Sequence, residues 1–78
     1  HLELNADVTW GEIRVEVLDD TGAVIPRFGL KVCQPVIGDS VRHRVEWEGA
    51  DLVSLAGTTV KLRFYLQCAR LYAFQFQI

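Results

Sequence analysis

Two histidines, two cysteines and a scatter of acids are the residues through which this 78-residue chain could do chemistry. His1 is terminal and His43 falls in the apolar phase of VRHRVEW, and neither has a second ligand at the spacing a zinc site needs. No metal and no other cofactor is therefore expected. Cys33 and Cys68 lack the CxxC arrangement, and either would become a nucleophile only if the fold carried a base such as His43 to it. Both stand among apolar residues, where a free cysteine is commonly buried. A bond between them would stabilise the domain by about 3–4 kcal/mol through loop closure. Cys33 lies in a loop before Pro35 and Cys68 at the junction of two strands, however, so unlinked thiols are expected over a disulfide.

The acids divide into Glu12 with Glu16 on one strand face and Asp19 with Asp20 in a turn. Glutamate and arginine alternating along an exposed strand form a solvated ladder of cross-strand pairs, which is the reading adopted for Glu12 and Glu16. Two adjacent aspartates fall short of the six or more oxygens that calcium takes, so DDTG is read as a turn. There is no glycine-rich phosphate loop and no nucleophile elbow. No catalytic residue is assigned, and the chain is not expected to be an enzyme.

Aromatic residues carry the remaining chemistry, because their flat faces can stack on the C–H faces of a sugar ring. Trp47, Phe64, Tyr72, Phe74 and Phe76 keep phase with aliphatic neighbours and are expected in the core. Tyr65 instead shares a wet face with Lys61 and Arg63, and Trp10 opens a strand beside Gly11, where it can sit at a rim. Trp10, Arg14, Arg63 and Tyr65 are accordingly the candidate carbohydrate contacts.

These side chains must be placed by short strands. All six glycines fall between apolar runs, the punctuation of an all-β domain. In GEIRVEVLD, Ile13, Val15 and Val17 share one face and Glu12, Arg14 and Glu16 the other. Asp20 and Gly22 then offer a tight reversal, which predicts a hairpin between residues 10–18 and 23–25, with Pro26 limiting the second strand. VRHRVEW places Val41, His43, Val45 and Trp47 inward. TVKLRFYLQ places Val60, Leu62, Phe64 and Leu66 inward, and LYAFQFQI follows almost without a gap as an antiparallel partner, with Tyr72, Phe74, Phe76 and Ile78 on one face. LELNADV is a shorter strand with Leu2, Leu4 and Ala6 in phase. In DLVSLAG, Asp51 caps a helical turn that Gly57 ends. The expected architecture is a small antiparallel β-sandwich or jelly-roll, with an open barrel as second choice.

At 50% hydrophobic and 23% charged, residues 1–78 read as one folded domain. A net charge of −2 and a pI near 5.5 supply no broad positive field, so neither nucleic acid nor a membrane surface is an expected partner. No apolar run nears the roughly 18 residues of a spanning helix, and no signal-peptide pattern is present. Without an initiating Met the chain reads as an excised piece.

From Trp10 to Phe76 the residues resemble the C-terminal β-sandwich segment of predicted secreted glycosidase-like proteins of the family 32 type, in which a propeller precedes a sandwich. The resemblance is carried by G-x-I-x-V-E-V at residues 11–17, G-D-S-V at 38–41, V-x-W at 45–47, L-A-G at 55–57, L-R-F at 62–64 and L-Y-A-F-Q-F at 71–76. Cys68 stands where a small or acidic residue is expected and Arg27 where glycine is. The resemblance implies a secreted or extracytoplasmic accessory module whose parent keeps its catalytic acids in the propeller, and whose first sandwich strands precede Leu2. Its candidate partners are a polysaccharide and the parent's catalytic domain.

Two functions of different class follow. One is a carbohydrate-binding module; the other is a structural module that packs on a catalytic domain or on copies of itself. An incomplete sandwich has bare edges, and only Pro26 and Pro35 guard this chain. A homo-oligomer is expected, formed through Leu71, Phe74, Phe76 and Ile78 and burying roughly 1,200–2,000 Å2.

Overall fold

The computed structural model describes residues 1–76, without the side chains of residues 39–41. The chain is all-β, and among the described residues four strands, β1 (Leu2–Leu18), β2 (Val36–Val45), β3 (Lys61–Gln67) and β4 (Arg70–Phe76), form one antiparallel sheet. β1 is the centre. β2 pairs along one side of it, from Leu2 opposite Val45 to Ile13 opposite Val36. On the other side β3 takes its second half, from Glu12 opposite Gln67 to Leu18 opposite Lys61, and β4 its first half, from Leu2 opposite Phe76 to Asp7 opposite Arg70.

This pairing corrects three expectations. LELNADV and residues 10–18 are not separate strands but two halves of a single 17-residue strand. β3 and β4 do not pair with each other; both run antiparallel to β1, joined through Cys68 at φ 50°, so the chain continues along β1 instead of reversing. The return after the DDTG turn is a single bridge, Leu18 to Val24, before a 3-10 turn at Pro26–Phe28, because proline cannot donate to a longer ladder. The turn itself is organised by Asp19 and not Asp20: the Asp19 Oδ1 atom accepts from the backbone N–H groups of Thr21 at 2.9 Å and Ala23 at 3.0 Å. Asp51 does cap its turn, accepting from the Val53 N–H at 3.0 Å, and Gly57 leaves that turn at φ 80°.

A straight strand of β1's length would span about 56 Å. The longest extent of the fold is 32 Å, so the sheet is bent back on itself. Side-chain contact shows the same closure. Phe64 sits opposite Val15 and Phe74 opposite Leu4, positions about 36 Å apart on a straight strand, yet their ring centroids are 5.1 Å apart.

The bend lies at residues 9–12, which face only Ile37 of β2 between the Val8–Gly38 and Ile13–Val36 pairs. Extra residues on one strand of a pair kink it and strengthen its twist. The kink also exchanges the buried phase of β1, from Leu2, Leu4, Ala6 and Val8 before it to Ile13, Val15 and Val17 after it. Both apolar rows therefore face the same interior. Gly11 is required here for space: a Cβ would collide with the Gln67 carbonyl across the strand.

Phe28, Cys33, Val36, Val45 and Trp47 complete the core, and Trp47 meets Phe28 edge-on at 5.4 Å. His43 points inward as its phase requires, with Nε2 3.3 Å from the Ala6 carbonyl oxygen. The Val41 side chain lies outside the described set.

Candidate functional site

Three of the four candidate carbohydrate contacts come together on the outer face of β1 and β3. Antiparallel pairing sets Arg14 opposite Tyr65 and Glu16 opposite Arg63. The Tyr65 hydroxyl donates to Glu16 Oε1 at 2.8 Å, and the Arg63 guanidinium donates to the same oxygen at 3.0 Å. Arg14 turns along its own strand and pairs with Glu12, its Nε 2.6 Å from Oε2.

Glu16 departs from the solvated ladder. Its side chain is 8% exposed although it belongs to the outer face. A carboxylate removed from water needs compensating donors, and the two that converge on Oε1 supply them. Hydrogen bonding to the Tyr65 hydroxyl, and then the Glu16 carboxylate, raise the pKa of the Arg63 guanidinium above its ordinary value.

This arrangement is a closed polar knot. The Tyr65 hydroxyl, one Nη of Arg63 and the Nε of Arg14 are already bonded to carboxylates. The Tyr65 ring, 41% exposed, and the outer edges of both guanidinium groups remain open to solvent.

Trp10 is 88% exposed and stands at the bend, above a depression lined by Thr9, Gly11, Glu12, Ile37, Gln67 and Cys68. The aromatic pairs in contact among the described residues are Phe28 with Trp47 and Phe64 with Phe74, and Trp10 and Tyr65 belong to neither.

The thiols are unlinked and differ in setting: Cys33 is buried, and Cys68 is exposed, contrary to its apolar sequence context. Burial raises the Cys33 pKa, with a partial offset from the Val15 N–H and the Arg14 charge. The thiol consequently stays protonated and inert. Among the described residues no three His, Cys, Asp or Glu side chains cluster as metal ligands would.

A second depression, of about 360 Å3, lies at the other half of the sheet, where Glu3, Asn5, Arg42 and Gln75 border it together with Leu4, Ala73 and Phe74. Glu3 Oε1 is 3.2 Å from His1 Nε2, and Oε2 is 3.8 Å from Arg42 Nε. Glu3 Oε2 is buried without a hydrogen bond, and the Arg42 charge at 3.8 Å faces it.

The self-association set lies along β4. Leu71 sits opposite Ala6 in the inward phase and is half-buried. Phe74 and Phe76 are also inward, opposite Leu4 and Leu2, yet 49% and 55% exposed. Tyr72 is the extra residue of a bulge between the Asn5–Ala73 and Ala6–Leu71 pairs, and it and Leu66 are exposed too. The core placement expected for Leu66, Tyr72, Phe74 and Phe76 is thereby corrected: β3 and β4 form the margin of the sheet, and no further described strand covers them. Ile78 lies outside the described residues. Periodicity gave the phase of Leu66, Phe74 and Phe76, but the bulge takes Tyr72 out of it and puts Leu71 in the inward phase instead, and only the strand order gives their exposure.

Compared with known proteins, the chain matches no family model, no curated protein and no solved structure.

Proposed function

We propose that this chain is a non-catalytic interaction module, the accessory part of a larger glycosidase-like protein, which completes its folded sheet with a strand supplied by another protein surface at the β3–β4 margin. The observation that carries this reading is that Phe74 and Phe76 point into the apolar side of the sheet and are still half exposed. A strand laid beside β4 would cover them while its backbone used the free edge, which is the logic of strand addition. The polar knot around Glu16 holds β1 to β3.

The test uses an apolar fluorescent dye such as ANS at sub-micromolar chain concentration. Uptake by the native chain is expected, falling several-fold in Phe74→Ser and Phe76→Ser variants of unchanged far-UV spectrum. Uptake that neither substitution reduces would overturn the reading.

A second reading, carbohydrate binding, rests on the exposure of Trp10. It expects quenching of indole fluorescence by a soluble polysaccharide, abolished in Trp10→Ala. No quenching across a panel of such polysaccharides would remove it.

A further inference from the structure

We infer that the strand completing this sheet comes from a second copy of the chain, through antiparallel pairing of β4 with β4 about a two-fold axis at Phe74. The inference rests on the interaction-module reading and names its partner.

Charge is the first argument. The segment from Lys61 to Phe76 carries Lys61, Arg63 and Arg70 and no acid. Within β4 the one charge is Arg70, at the strand's start. Antiparallel pairing about Phe74 sends the two Arg70 side chains to opposite ends, well beyond the roughly 8 Å over which salt screens them. Parallel pairing would stack them. The neutral stretch from Leu71 to Phe76 is thus compatible with its own antiparallel copy, and it holds no Lys, Pro or Gly to discourage pairing.

Phase is the second. A two-fold normal to the sheet keeps both apolar sides on the same side of the joined sheet. It sets Phe74 opposite Phe74, aromatic against aromatic, brings the bulged Tyr72 to the level of Phe76, and sets Ala73 opposite Gln75 on the other side. Directly opposed aromatic pairs are among the favourable cross-strand contacts.

Area is the third. Each aromatic side chain can bury about 150–250 Å2. Tyr72, Phe74 and Phe76 have 62%, 49% and 55% of their surface still to cover. Six rings from two copies therefore supply about half of the ~1,200 Å2 at which stable interfaces begin. The two backbone edges, with Leu66, Leu71 and Gln75, provide the remainder.

The experiment is sedimentation equilibrium of the full chain, its Phe74→Lys and Phe74→Glu variants, and their equimolar mixture, each checked by far-UV spectrum. The native chain is expected to dimerise with a dissociation constant of about 10 µM, shifted less than about twofold by salt because no charges meet. Either variant is expected to weaken association by about 100-fold or more, as central interface residues do. The mixture should recover a dimer, since position 74 faces itself across the axis. If the variants misfold, the native chain's own mass and Phe76→Lys still decide. A native chain that stays monomeric at several hundred micromolar, or a dimer that neither Phe74 variant weakens, would overturn the inference. Monomer with Phe74-dependent dye uptake sinks the dimer and leaves the interaction-module reading standing; monomer without such uptake sinks both.

Discussion

The two margins of the sheet are finished in opposite ways. Where β2 stops pairing at Ile13, the second half of β1 would be left with a bare edge. The loops close it. The Val15 N–H is 3.4 Å from Cys33 Sγ, the Trp47 indole N–H donates to the Val15 carbonyl at 2.9 Å, and the Ile25 N–H donates to the Val17 carbonyl at 2.9 Å. The segments that reach in are tied together, with the Gln34 N–H bonded to the Glu46 carbonyl at 2.8 Å and the Glu48 N–H to the Val32 carbonyl at 2.7 Å. At β3–β4 no described segment plays that part, and aromatic side chains stand half in water. A buried backbone group must be paired, so the first margin belongs to the fold itself. The second is closed by no described segment, and the proposed interaction rests on that difference.

The largest expected effect comes from removing the bend that both margins share. Gly11→Ala drives a methyl group into the Gln67 carbonyl, and neither strand can move without losing the β1–β3 register. A loss of about 3 kcal/mol is expected, most of what a core of this size supplies. Denaturant titration checks it. An unchanged midpoint would mean that β1 does not depend on this close approach, and the contrast between the two margins would lose its common origin.

The cysteines give a reporter on each region without altering the fold. Cys33 lies under the sealed margin with a raised pKa, and Cys68 is exposed at the junction of β3 and β4. One thiol is expected to react with an aromatic disulfide reagent at once and the other about 100-fold more slowly, since reactivity follows thiolate fraction and access. Cys68→Ser should remove the fast phase. Equal rates would show that the sealed margin opens as readily as the free one.

Trp47→Phe breaks the sealed margin at one bond. The ring packing against Phe28 is kept in kind, but the Val15 carbonyl loses its indole donor in a buried place. An unsatisfied buried acceptor costs about 1–3 kcal/mol. The decisive readout is residue-resolved hydrogen exchange: protection should fall along residues 13–18 more than along residues 2–8. A uniform fall would make Trp47 a global core residue and not the closure of a margin.

Much of this architecture was legible in the sequence. Alternation assigned the strands and most inward phases, because side-chain period is a local property of extended chain. The Asp51 cap was legible for the same reason. Strand partnership was not. Period alone cannot distinguish β3 and β4 as a hairpin from two strands in line, and the difference rests on the left-handed backbone at Cys68, a conformation that its residue type does not announce. Nor did alternation warn that β1 would exchange its buried phase at the bend, although Leu2, Leu4 and Ala6 against Ile13, Val15 and Val17 already stood in opposite parity. Reading these as two strands hid the kink. The candidate site divided in the same way: Arg14, Arg63 and Tyr65 do share a face, but the burial of Glu16 depends on two side chains arriving from β3. The exposure of Phe74 and Phe76 depends on the strand order, in which no described strand lies on the far side of β4.

The smallest expected effect concerns how the chain returns to the sealed margin. Asp19 holds the turn that brings Val24 and Ile25 back to β1, accepting from the Thr21 hydroxyl at 2.6 Å as well as from backbone N–H groups. These bonds, the Thr21 hydroxyl foremost, favour the ionised carboxylate and lower its pKa. A lowered pKa in the folded state means that the unfolded chain takes up the proton first as pH falls. The turn's contribution is therefore complete above an unfolded aspartate pKa of about 3.9, and it is lost as pH drops through the lower folded value. Between pH 7 and 5 this group should leave stability unchanged. Asp19→Asn keeps an acceptor but removes the charge, so its denaturation midpoint should lie slightly below the native one at pH 7 and converge with it near pH 2. The comparison is two midpoint-against-pH curves. Parallel curves through the acid range would mean that the turn is held by backbone geometry alone, with Gly22 at φ 90° sufficient to reverse the chain.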